Sequence, residues 1–221
     1  MSIAVISLLS ISIIAFIIMI GYWVLSFERT GSKKYNFLRF FPFELNAYRR
    51  NGKDKYLNIG LIAISFITFI APVIGFAVYK GYASSYIMMT VLILAAFTFL
   101  LLLFTKLSNY KAHLMITTFF VCFVLGLIIL EFIYFTVPDT NNGYIEVSKS
   151  YMAYIVLAIN IIQIIFEFVL ILNPNYKSWA KMVKVDAEVF SRPKFNYLGC
   201  IEWGTFLNLI VCYIPIVLLS F

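Results

Sequence analysis

The sequence predicts an all-α polytopic membrane protein, six transmembrane helices packed into one bundle, and three observations predict it. Of the 221 residues, 63% are broadly apolar and only 12% are charged, against about a quarter charged in a soluble domain. The apolar residues gather into six long stretches. The basic residues lie between those stretches, concentrated in alternate loops. With a mean hydropathy of +0.96, the chain has too much apolar surface for water and needs lipid as its solvent.

A span needs about 20 mainly apolar residues to cross a hydrocarbon core ~30 Å thick. Residues 3–27, 57–79, 86–104, 112–137, 151–172 and 201–221 meet that requirement and form a single domain over 1–221. The first stretch reads as a span and not as a cleavable signal. No positive charge precedes Ile3, and the run to Leu25 exceeds the ~7–15 apolar residues of a signal peptide.

Orientation follows from Lys and Arg, which favour the cytoplasmic side. Fifteen of the 17 basic residues lie in the loops after spans one, three and five. The other two loops carry Lys80 and Lys149 alone. Both termini are therefore expected outside a cell membrane, with the basic loops in the cytoplasm. Two aromatic belts agree with these ends: Tyr22, Trp23, Tyr110, Trp179 and Trp203 inside, Tyr79, Tyr86, Tyr134 and Tyr151 outside. Amphipathic rings prefer headgroup depth.

Two cytoplasmic loops are long enough to hold structure. Trp179, Met182, Val183, Ala187 and Phe190 recur at helical spacing opposite Lys177, Lys181 and Lys184, the pattern of an amphipathic helix lying in the interface. Phe37, Leu38, Phe41, Leu45 and Tyr48 make a rougher version in the first loop, interrupted by Pro42. That segment reads as a connector hugging the lipid, or as a docking surface for a cytoplasmic partner.

The net charge of +7 fits cytoplasmic loops against acidic headgroups better than nucleic acid. The expected partners are the lipid bilayer and other membrane-protein subunits, with no nucleic acid. Cys122, Cys200 and Cys212 lie in or beside apolar stretches and form no C-x-x-C pattern, so they read as small buried apolar residues, not disulfides or zinc ligands. The single histidine, His113, excludes an H-E-x-x-H site and reads as an interfacial residue beside Lys111. No G-x-S-x-G elbow or phosphate-binding loop is present. No catalytic residue, metal or cofactor is expected, and the chain is not expected to be an enzyme.

Pro72 and Pro215 interrupt spans two and six. Such prolines free backbone carbonyls in transporter helices but also serve as packing kinks, and packing is the reading favoured here.

Three carboxylates lie within spans: Glu131, Glu167 and Glu202. An ionisable group in hydrocarbon costs several kcal/mol, so each needs a reason. Glu131, near the outer end of span four, and Glu202, near the inner end of span six, are expected to reach water. Glu167 is more demanding, because Asn160, Gln163 and Glu167 form one stripe at i, i+3, i+7. Span six offers Glu202, Thr205 and Asn208 at similar spacing and depth. The candidate polar or ion site is Glu167, Gln163, Asn160, Glu202 and Asn208, between spans five and six.

Two function classes lead over a third, an intramembrane enzyme. One is a transport-related subunit, with a hydrated cavity reaching Glu167. The other is a non-transporting accessory, assembly or protective partner of another membrane complex, with the stripe buried in dry, satisfied contacts.

Overall fold

The structure is a computed structural model. It describes residues 20–25, 34–47, 62–67, 83–105, 109–136, 151–173 and 195–212, with single positions at 7, 10, 14, 17, 18, 70, 71, 74 and 214. Among the described residues the chain is helical and contains no strand. Among the described residues three helices are long and apolar enough to cross a membrane: Ser85–Phe104, Lys111–Tyr134 and Tyr154–Ile171. They correspond to predicted spans three, four and five. Residues 20–25 and 62–67, inside predicted spans one and two, are helical. The expected interfacial helix at 179–190 lies outside the described residues.

We number the described helices α1 (Pro42–Ala47), α2 (Ala83–Phe104), α3 (Tyr110–Thr136), α4 (Tyr151–Ile171) and α5 (Tyr197–Val211). α2 and α3 are joined by a short connection and pack extensively against each other, as a short loop between long helices dictates. Leu92, Ala95, Phe99 and Leu102 of α2 meet Phe120, Val124, Leu127 and Ile128 of α3 in the core. Phe206 of α5 stacks on Phe99 with ring centroids 4.2 Å apart, so α5 seals this pair. Trp23, from the first predicted span, is fully buried in the same core.

α4 shows which solvent surrounds the bundle. Asn160, Gln163 and Glu167 are buried, while Ile161, Ile165 and Val169 are exposed and Ile162 is 67% exposed. A helix with polar groups inward and isoleucines outward is inverted relative to a soluble amphipathic helix. Only a hydrocarbon surround makes that arrangement favourable.

α5 starts at Tyr197, four residues before the predicted start of span six, because Asn196 caps it. The Asn196 side chain accepts the Gly199 N–H at 3.3 Å, satisfying one of the donors a helix leaves open at its start. The helix then approaches α4 closely at Gly204. A Cβ there would meet Leu170 Cδ1 at 2.6 Å, so glycine permits the contact.

The loop after the first predicted span departs from its expected course along the interface. Phe40, Phe41 and Leu45 are buried, and α1 packs on α2 and α5. Pro42 does not interrupt this segment but begins its helix, where its fixed φ and missing N–H fit the first position. Glu44 accepts the Phe41 N–H at 2.9 Å, a reach-back that caps the turn. Trp203 Nε1 donates to the Phe40 carbonyl at 3.1 Å, and the Asn196 N–H donates to the Leu38 carbonyl at 2.8 Å. These bonds tie the segment to the start of α5. The loop is drawn inward because its aromatic residues find a fixed apolar partner there, with the backbone polar groups satisfied at the same time.

Candidate functional site

The polar stripe of α4 meets α5 directly. Thr205 Oγ1 donates to Glu167 Oε1 and Asn208 Nδ2 to Glu167 Oε2, both at 2.6 Å. One turn away, the two helices exchange side-chain and backbone bonds. Gln163 Nε2 donates to the Asn208 carbonyl at 3.1 Å, and Asn208 Nδ2 lies 3.4 Å from the Gln163 carbonyl. Gln163 Nε2 also reaches Cys212 Sγ at 3.5 Å. Glu167, Asn208 and Thr205 are buried. The carboxyl group is thus held by two neutral donors, one on each oxygen, in short bonds.

The rest of the stripe is buried but incompletely paired. Asn160 is fully buried with neither amide atom hydrogen-bonded, and Gln163 Oε1 likewise has no partner. Glu131 of α3, expected near water, is fully buried instead, and neither carboxylate oxygen is hydrogen-bonded. It points into the bundle, and Cys212 lies within electrostatic range of both Glu131 and Glu167. Buried polar atoms without partners are rare because each costs about 1–3 kcal/mol in lost solvation.

Glu202 also departs from expectation. It neither reaches water nor joins the Glu167 cluster by contact. Its Oε1 lies 2.8 Å from His113 Nε2 and accepts from Thr117 Oγ1 at 2.9 Å. Both members of the His113–Glu202 pair are 0% exposed. The reason is helical phase. Each three-residue step from 202 to 205 to 208 rotates the side chain back by about 60°, so Glu202 faces α3 while Asn208 faces α4. α5 thereby bridges two polar centres, one on each neighbour.

His113 is therefore no interfacial residue. Its Nδ1 lies 3.0 Å from the Thr105 carbonyl, and the rings of Phe41 and Phe43 stand edgewise to it at 5.6 and 5.4 Å. Glu44 of α1 is also within electrostatic range. The spacing His113–Thr117, i and i+4 at the depth of Glu202, is the signal that marks this face in the sequence. Among the cysteines, Cys212 is buried, Cys200 is half-buried and Cys122 is exposed on α3. Cys122 is thus not the buried apolar residue expected.

A groove of about 500 Å³ runs between α4 and α5 on their outer side. Its lining includes Phe166, Leu170, Trp203, Gly204 and Leu207, and none of the stripe residues. Among the described residues no three His, Cys, Asp or Glu side chains converge as a metal-ligating group. Carboxylate and amide oxygens are the donors that the Asn160–Gln163–Glu167 stripe offers, and these suit protons or hard cations. The chain matches no family model, no curated protein and no solved structure, so the functional reading rests on these residues.

Proposed function

We propose that the chain is a transport-related subunit of the cell membrane, with its ion or solute site between predicted spans five and six. In this reading six spans form the bundle, both termini lie outside, and the basic loops face the cytoplasm. The role is not enzymatic. The observation that carries the proposal is the incomplete pairing of a buried polar interior. Glu167 is held in place by Thr205 and Asn208, while Asn160, Gln163 Oε1 and Glu131, also buried, offer unused polar atoms. A purely structural stripe has no reason to leave such atoms open at that cost.

A second reading, an accessory or assembly partner of another membrane complex, is favoured by one observation. Glu167 itself is 0% exposed with both oxygens paired, the closed contact expected of an interhelical clasp. The test is charge movement in proteoliposomes on a solid-supported membrane after a step in pH or sodium concentration. The transport reading expects a current from the native chain. It expects none from Glu167→Gln, which remains folded and monodisperse in detergent. No current from the native chain, together with a membrane protein that co-purifies in mild detergent, decides for the accessory reading.

A further inference from the structure

The hydrogen-bond chemistry around His113 determines where its protons lie. The Thr105 carbonyl only accepts, so the Nδ1 atom 3.0 Å away carries a hydrogen and donates. Nε2 and Glu202 Oε1 then face each other at 2.8 Å. An imidazole lone pair and a carboxylate oxygen are both acceptors and do not close to that distance without a proton between them. The contact therefore holds one proton, carried on Nε2 as an imidazolium–carboxylate pair or on Oε1 as a neutral pair. The Thr117 hydroxyl does not replace it. Its single hydrogen serves either the His113 carbonyl at 3.0 Å or Oε1 at 2.9 Å.

We propose that His113 and Glu202 form a buried proton-binding pair, and that loss of the shared proton separates the inner ends of α3 and α5. Binding takes the pair from a net charge of −1 to 0, with the proton drawn from water and no other reactant. Unprotonated, Nε2 and Oε1 repel across the main polar contact between the two helices. Proton occupancy and helix docking are then linked, each favouring the other. Glu202 Oε2, buried and unpartnered, receives no donor that would stabilise the carboxylate once the shared proton is lost. Among the described residues the charged groups acting on His113 are Glu202 on α5 and Glu44 on α1. The inference uses a different helix pair from the Glu167 site and survives if that site proves not to transport.

The chain's single histidine allows a direct test. The full chain is labelled with ¹⁵N-histidine and placed in phosphatidylcholine–phosphatidylglycerol nanodiscs. Ring resonances are followed from about pH 5 to about pH 9, a range that brackets ordinary imidazole titration. Nδ1 should stay protonated throughout, while Nε2 moves from its protonated to its unprotonated position in one transition. Spin labels at the exposed residues Met115 of α3 and Leu207 of α5 should report a longer distance above the same midpoint. In Glu202→Gln the ring should hold the neutral Nδ1–H form across the range with the helices docked, since the amide can donate to Nε2. An Nε2 resonance that never moves overturns the proposal, as does a Glu202→Gln variant that titrates like the native chain. A constant distance through the transition overturns the linkage to docking.

Discussion

Glu167 of α4 and Asn208 of α5 are joined by a 2.6 Å bond between side chains, and one turn away the Asn208 carbonyl accepts from Gln163 of α4. Those bonds position α5 with one polar centre toward α4 and another toward α3. The bundle is thus held together where it is most polar, as expected when lipid supplies no hydrophobic drive for helices to associate.

The first prediction concerns that clasp. Thr205→Val keeps the shape of the side chain but removes the donor to Glu167. It should destabilise the bundle by about 1.5–3 kcal/mol, the usual range for a hydrogen bond to a charged group. Combined with Glu167→Leu, which has no acceptor, the two losses should be less than additive, because both remove the same bond. Thermal unfolding in detergent of the four chains of this cycle measures the coupling. Full additivity would show that the bond contributes nothing.

Glu202→Ala should be more damaging than either. It leaves the His113 ring buried opposite a cavity, and breaking a buried pair from one side costs about 3–5 kcal/mol. His113→Ala removes the other partner and should destabilise comparably, while the double variant should recover part of the loss. A midpoint unchanged in Glu202→Ala would mean the pair does not hold α3 to α5.

Two glycines should respond in opposite ways. Gly204→Ala places a methyl 2.6 Å from Leu170 Cδ1, and overpacking of that kind costs about 1–3 kcal/mol. Gly126→Ala meets nothing within 4 Å and should be neutral or stabilising by about 0.5–1 kcal/mol, since alanine is the better helix former. Equal effects on the melting temperature would contradict the close approach of α4 and α5 at Gly204.

Topology is tested chemically. In a chain lacking Cys122, Cys200 and Cys212, a cysteine at Asn142 should react with an impermeant maleimide added to intact cells. One at Ser32 should react only after the membrane is opened. Labelling of the Ser32 position in intact cells reverses the proposed orientation.

The sequence by itself determined that this chain is helical and lipid-solvated, since uninterrupted apolar runs near helix-spanning length permit little else. It also determined that Asn160, Gln163 and Glu167 point inward, because three polar groups on one face of α4 cannot be left in hydrocarbon. It did not determine where Glu202, Glu131 and His113 point. Periodicity assigns residues to a face of their own helix. Which neighbour that face meets depends on the crossing of helices far apart in sequence, such as α3 and α5. Phe40, Phe41 and Leu45 show the same division. Their apolar character was plain, but lipid and the bundle interior are equally good solvents for a phenyl ring. Only the bonds that Trp203 and Asn196 make to the backbone of this segment decided for the interior.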